Sequence, residues 1–169
     1  DLQALTTSQV GVLSAAQWGA LTTTQMGDLQ TTQVHAIPMS SLGTANLNAL
    51  TTSQFQALTT SQIASLRTAQ IASLETVDLA ALSTAQIVAM TPTAISVLKT
   101  QQVVSLTTLQ VSNLKNAQIA ALTTLHARAL TSSQVQAMTT SQVAVLSGAQ
   151  LANLESEDFG ALNSAQLQA

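Results

Sequence analysis

The stretch Leu50-Thr51-Thr52-Ser53-Gln54-Phe55-Gln56-Ala57-Leu58-Thr59-Thr60-Ser61-Gln62-Ile63 holds one eight-residue unit and most of the next. Reading outward from it, the anchor leucine recurs every eight residues at Leu66, Leu74 and Leu82, and onward through Met90 and Leu98 to Leu154 and Leu162. Towards the N-terminus the same count reaches Leu42. It then breaks phase and resumes at Ile37, Leu29, Leu21, Leu13 and Leu5, for 21 anchors in all. A fixed short period means an architecture built by stacking, not a globular domain wrapped around a pocket.

Numbering the anchor as position 0, positions 1 and 2 are mostly Thr or Ser, position 3 is Ser or Ala, and position 4 is usually Gln. Position 5 is a second apolar site, occupied by Val10, Trp18, Met26, Val34, Leu47, Phe55, Ile63, Ile71 and Leu79 and continuing to Phe159 and Leu167. One continuous α-helix cannot carry this pattern. At roughly 100° per residue each octad turns the anchor by about 80°, so the apolar residues would wind around the helix and define no face. A β-solenoid is the alternative, because Thr, Val and Ile favour strands. Against it, Ala recurs in the unit and no position is reserved for the Gly or Asn that strand corners need.

One short helix per octad agrees with the local signals. Thr6-Thr7-Ser8-Gln9 reads as a capping box: Thr6 caps the helix and Gln9, three residues on, reaches back to the cap's N–H. The preceding Leu and the following Val or Ile form the hydrophobic staple. Thr91-Pro92 fits the same frame, with Pro at the first helical position, where its missing N–H costs nothing. Asp78 and Asp158 take the place of Gln, where a negative charge suits the helix dipole. Arg67, Glu75, Lys99, Lys115 and Glu155 occupy position 1, which leaves open a cap one residue later in those octads.

A helix this short is unstable alone, so stacking must supply the stability. The predicted fold is therefore an all-α solenoid of very short helices, residues 1–169 forming one continuous array with a phase break at 37–41. Six helical residues and two extended ones give an edge of roughly 12–15 Å. Three such edges leave little room for two large side chains each, so the expectation is four octads, about 32 residues, per superhelical turn. Pro38, at the break, is expected to fix an irregular corner and a bend. Gly11, Gly19 and Gly27 share position 6 and predict tight packing there. The block Ala49–Ala89 resembles Ala129–Ala169, ten octads on, as a duplication would leave it.

Composition narrows the function classes. Charged residues are 7% and aromatic residues 2% of the chain, while 46% are apolar, which argues against disorder. The net charge of −3, with Arg67, Lys99, Lys115 and Arg128 as the four cations, argues against a nucleic-acid partner. Low charge also weakens the repulsion that keeps chains apart, so self-association is expected. Cysteine is absent, which removes disulfides and thiolate metal sites. No apolar run approaches the roughly 18 residues of a membrane span. There is no initiator Met or signal-peptide pattern, and Asp1-Leu2-Gln3-Ala4 and Gln166-Leu167-Gln168-Ala169 occupy the same four octad positions without a polar cap. The expectation is a segment of a longer array, or a subunit that meets copies of itself end to end.

No catalytic, cofactor-binding or metal site is expected. His35 and His126 lie at different octad positions without a ligand set, and His126 is expected to take over the hydrogen bonds of the Gln column. Glu155-Ser156-Glu157-Asp158 lacks the alternating spacing and turn glycine of a Ca²⁺ loop, and reads as charge complementing a helix N-terminus. The Gln column itself reads as caps plus amide ladders between coils, since buried amides must be paired. Trp18, Phe55 and Phe159 read as core.

The run Ala49–Ile63 also resembles the octapeptide (Leu-Thr-Thr-x-Gln-Ile/Val-x-Ala) arrays within very large secreted or surface proteins of bacteria, often adhesin-like. That resemblance implies an extracellular or cell-surface location and an extended structural role, and carries no functional residues with it. The leading expectation is a rod or filament in a surface or extracellular fibre. The alternative is a binding module whose regular Thr ranks engage ice or a polysaccharide. An enzyme is disfavoured, because no nucleophile, paired-carboxylate or phosphate-binding arrangement stands out.

Overall fold

A computed structural model describes residues 2–169; Asp1 lies outside the described residues. The described residues form 19 α-helices, each four to six residues long, and three 3₁₀ turns, with no strand. The β-solenoid alternative is thereby excluded. Contacts divide the chain into two units, Asp1–Ala89 and Met90–Ala169. Each is a stack of the same one-helix octads.

The helices begin where the capping boxes predict. Thr51 lies in the extended region, at φ −71° and ψ 158°, and its hydroxyl accepts from the Gln54 N–H, while Gln54 Oε1 accepts from the Thr51 N–H at 2.6 Å. The same reciprocal pair closes Thr6 with Gln9, Ser14 with Gln17, and Thr139 with Gln142. Cap position 1 is kept even where it is occupied by Arg67, Lys99 or Lys115. There the Gln carbonyl still accepts from the cap N–H, at 2.7–2.8 Å, so one half of the box suffices. Thr91 caps the helix Pro92–Ser96, with Pro92 at its first position.

In the six-residue helices the chain leaves helical geometry at the next anchor. Leu58, for example, has φ −60° and ψ 141°. No described residue has a positive φ, so none of these helices uses the left-handed glycine terminus common elsewhere.

Within each unit, helices three octads apart pack against each other. In the first unit Thr52–Ala57 meets Thr76–Ala81, and Thr60–Ala64 meets Thr84–Ala89; in the second Thr108–Asn113 meets Ser132–Ala137. Partner helices begin at residues 24 apart, so one turn of the coil is three octads. The expected four is corrected to three. The estimate assumed that both apolar side chains of each octad point into the centre. In fact position 5 is the more deeply buried of the two, with Phe55, Ile71 and Ile87 fully buried. The anchors Leu50, Leu58, Leu74 and Leu82 sit at the corners between helices and keep a few per cent of exposure. A three-sided coil has room for one large side chain per side.

The phase break carries the expected irregular corner at Pro38. Beyond it, Gln70 Nε2 reaches back 28 residues to Leu42 O and 31 residues to Met39 O. Across it, Gln54 reaches back only 25 residues to Leu29 O and 28 to Met26 O, and Gln62 likewise reaches Ile37 O and Val34 O. The three missing residues are absorbed within one side of the triangle, where the 3₁₀ turn Met39–Ser41 follows Pro38. The coil therefore keeps three sides through the break, with no side skipped. Close packing near the glycines is seen at Gly27, where a Cβ would stand 3.2 Å from Ala49 O.

Candidate functional site

The feature that organises each unit is the column at octad position 4. Gln86 shows its chemistry in full. Its Oε1 accepts from the Ser83 N–H at 2.8 Å, capping its own helix. Its Nε2 donates to Leu58 O at 2.7 Å, Phe55 O at 3.0 Å and Gln56 O at 3.2 Å, the carbonyls at the end of Thr52–Ala57, where that helix gives way to the one packed a turn back, Thr60–Ala64. The last turn of a helix leaves such carbonyls short of donors: Phe55 O takes the Leu58 N–H at 3.2 Å, a 3₁₀-type bond at the helix end, and has capacity for a second donor. One amide thus caps the start of one helix and the end of another. Gln134, Gln142, Gln150 and Gln166 repeat the arrangement in the second unit. All are buried, as such a paired amide can be. Gln9, Gln17 and Gln25, in the first turn, are exposed and cap their own helices.

The sequence reading anticipated caps and inter-coil ladders, but not that the ladder amide replaces the C-terminal cap. A signal was present: an octad without a reserved Gly must end its helix by some other donor. Asn46, at position 4 after the anchor Leu42, also belongs to this column, donating to Leu21 O at 2.8 Å.

His126 takes the Gln place as expected. Its Nδ1 receives the Thr123 N–H at 3.2 Å, and its Nε2 lies 2.7 Å from Leu98 O. His35 lies apart, its Nε2 2.8 Å from Ala57 O.

Asp78 and Asp158 reverse the polarity of the column. Asp78 Oδ1 accepts from the Thr52 hydroxyl at 2.8 Å, and Asp158 Oδ1 from the Ser132 hydroxyl at 2.6 Å. The two bonds are equivalent under the ten-octad duplication, and each ties neighbouring turns. A carboxylate donates nothing to the carbonyls that Gln would serve. Burial, with the Glu75 carboxylate adding to it, pushes the Asp78 carboxyl above its ordinary range, against the pull of the Thr52 hydrogen bond. The folded state therefore disfavours ionised Asp78, and stability from this residue rises as pH falls through its raised pKa towards the unfolded value. Asp78→Gln is expected to stabilise the protein at pH 7 by about 1–2 kcal/mol, by restoring amide bonds to the turn beneath. Urea unfolding of the two proteins at pH 7 checks this, and an unchanged or lowered midpoint contradicts it.

Among the described residues no cluster of His, Asp or Glu could hold a metal ion. Glu155 meets Arg128 Nε at 3.1 Å on the surface, an exposed pair of small energetic weight. A polar hollow of about 550 Å³ is lined, among the described residues, by Leu2, Gln3, Ala4, Gln25, Asp28 and Gln30. A second, of about 240 Å³, is lined largely by apolar residues including Leu151, Phe159, Leu162 and Leu167. Phe159 is a correction: read as core from its octad position, it is 47% exposed, whereas Trp18 and Phe55 are buried. Position-5 side chains are covered by the turn that follows, and no described turn follows Phe159.

These features define a repeat protein of the α-solenoid class, whose repeated polar element is a structural ladder. The chain belongs to the ALTTAQ repeat family, which matches residues 1–36, 39–68, 71–108 and 111–148. The last three matches begin whole numbers of octads apart, and the first two are separated at Ile37 and Pro38, the site of the phase break. No curated protein and no solved structure matches the chain.

Proposed function

We propose that this chain is a structural element whose purpose is length: a rod or filament segment of a bacterial surface or extracellular fibre, self-associating end to end. The observation that carries the reading is the ladder. Within each unit, every turn is bonded and packed to the turns next to it, so octads can be added without redesigning any other part. Location at the bacterial surface rests on the resemblance of the octads to arrays in large surface proteins. No helix among the described residues is long and apolar enough to cross a membrane.

The Thr ranks favour this reading over ice or glycan binding. Position-1 hydroxyls such as those of Thr51, Thr107 and Thr139 are used as helix caps, which leaves position 2 alone to present a regular hydroxyl lattice. Small-angle scattering over a concentration series tests the proposal. Elongated particles that lengthen with concentration are expected. A compact monomer at every concentration removes both rod and filament. Thermal hysteresis or a specific glycan-array signal would favour the binding module instead.

A further inference from the structure

The buried histidine of the ladder differs chemically from the glutamines it replaces. Glutamine carries a permanent acceptor and a permanent donor; an imidazole carries one of each only when neutral, and only in one tautomer. At His126 the backbone dictates which. Nδ1 faces the Thr123 N–H and must accept, whereas Nε2 faces Leu98 O and must donate. The site therefore fits neutral imidazole with its proton on Nε2. Protonation would place a second N–H against that of Thr123 and dismantle the start of the helix Thr124–Ala129.

We propose that His126 is an acid-sensitive latch between two turns of the second unit, closed when neutral and released when protonated. Charged side chains stand on several of the elements around it. Arg128 lies on the same helix, paired with Glu155, and Lys99 stands at the cap of Thr100–Ser105, the helix packed one turn back. Lys115 caps the preceding helix, and Gly148–Leu151, packed on the other side, carries no titratable group. Burial favours the neutral form, holding the imidazole below its ordinary pKa against the Leu98 hydrogen bond. A histidine with a lowered pKa contributes stability that is full above the unfolded pKa and is lost as pH falls through that value to the folded one. At both steps the proton comes from and returns to solvent.

The test compares the 169-residue protein with H126Q, which restores the residue found in most octads, and with H35Q as a control. Thermal melts are recorded from pH 8 to pH 5, together with long-range ¹⁵N–¹H correlation spectra of the imidazoles. The wild type and H35Q are expected to lose more than about 2 °C of Tm over that range relative to H126Q, and His126 to give the Nε2–H tautomer at pH 7.5. Parallel pH profiles for wild type and H126Q would overturn the proposal, as would an Nδ1–H tautomer. If H126Q melts cannot be compared because it misfolds, an imidazole that titrates at or above the ordinary histidine pKa overturns it, and one that titrates below supports it.

Discussion

Gln86→Glu is expected to cost about 3–4 kcal/mol at pH 7.5, although it exchanges one atom and leaves the side-chain shape unchanged. The Oε1 side of the group is unaffected, since a carboxylate accepts from the Ser83 N–H as well as an amide does. The loss is on the other side. The amide nitrogen that bonds Leu58 O, Phe55 O and Gln56 O becomes an oxygen, and a buried negative charge then faces three carbonyls. Such a carboxyl has a raised folded-state pKa, so part of the loss should be recovered on acidification towards pH 4.5, where the protonated group can donate once. Urea unfolding of wild type and variant at the two pH values measures both effects. Equal midpoints at pH 7.5 would mean that the ladder carries no weight.

Phe55→Ala is expected to cost about 3–5 kcal/mol, the range for emptying a fully buried aromatic site, while Phe159→Ala costs well under half of that. Both residues occupy octad position 5, yet Phe55 has no exposed surface and Phe159 is 47% exposed. The contrast separates the octad position from its environment. Thermal and urea unfolding of both variants measures it, and near-equal losses would show that Phe159 is buried in solution, as it would be against another turn or another copy. Because repeat arrays can unfold in parts, amide exchange in the two halves should accompany the melts.

Much of this was legible in the sequence for a definable reason. The capping boxes join residues three apart, such as Thr51 to Gln54 and Thr139 to Gln142, and such bonds follow from spacing along the chain alone. The two apolar positions were legible for the same reason, as was the role of His126, which inherits its neighbours from the column it interrupts. The ladder was anticipated as a type of bond, but its acceptors were not, because they lie 28 and 31 residues back and depend on the coil's circumference. Asn46 stands at position 4 of the Leu42 octad, but its bond to Leu21 O, 25 residues back across the phase break, depends on the coil and not on spacing along the chain.

The amino-acid sequence by itself determined that this protein is a stack of one-helix octads. Each octad carries its own start signal, its own break at the following leucine and its own core residue, all set by local geometry. Only the tertiary structure decided how many octads close a turn, what finishes each helix and which apolar residues are covered. Those outcomes depend on volume and on partners a whole turn away. A coil of three sides brings each ladder glutamine over the carbonyls at the corner where one helix of the turn beneath gives way to the next.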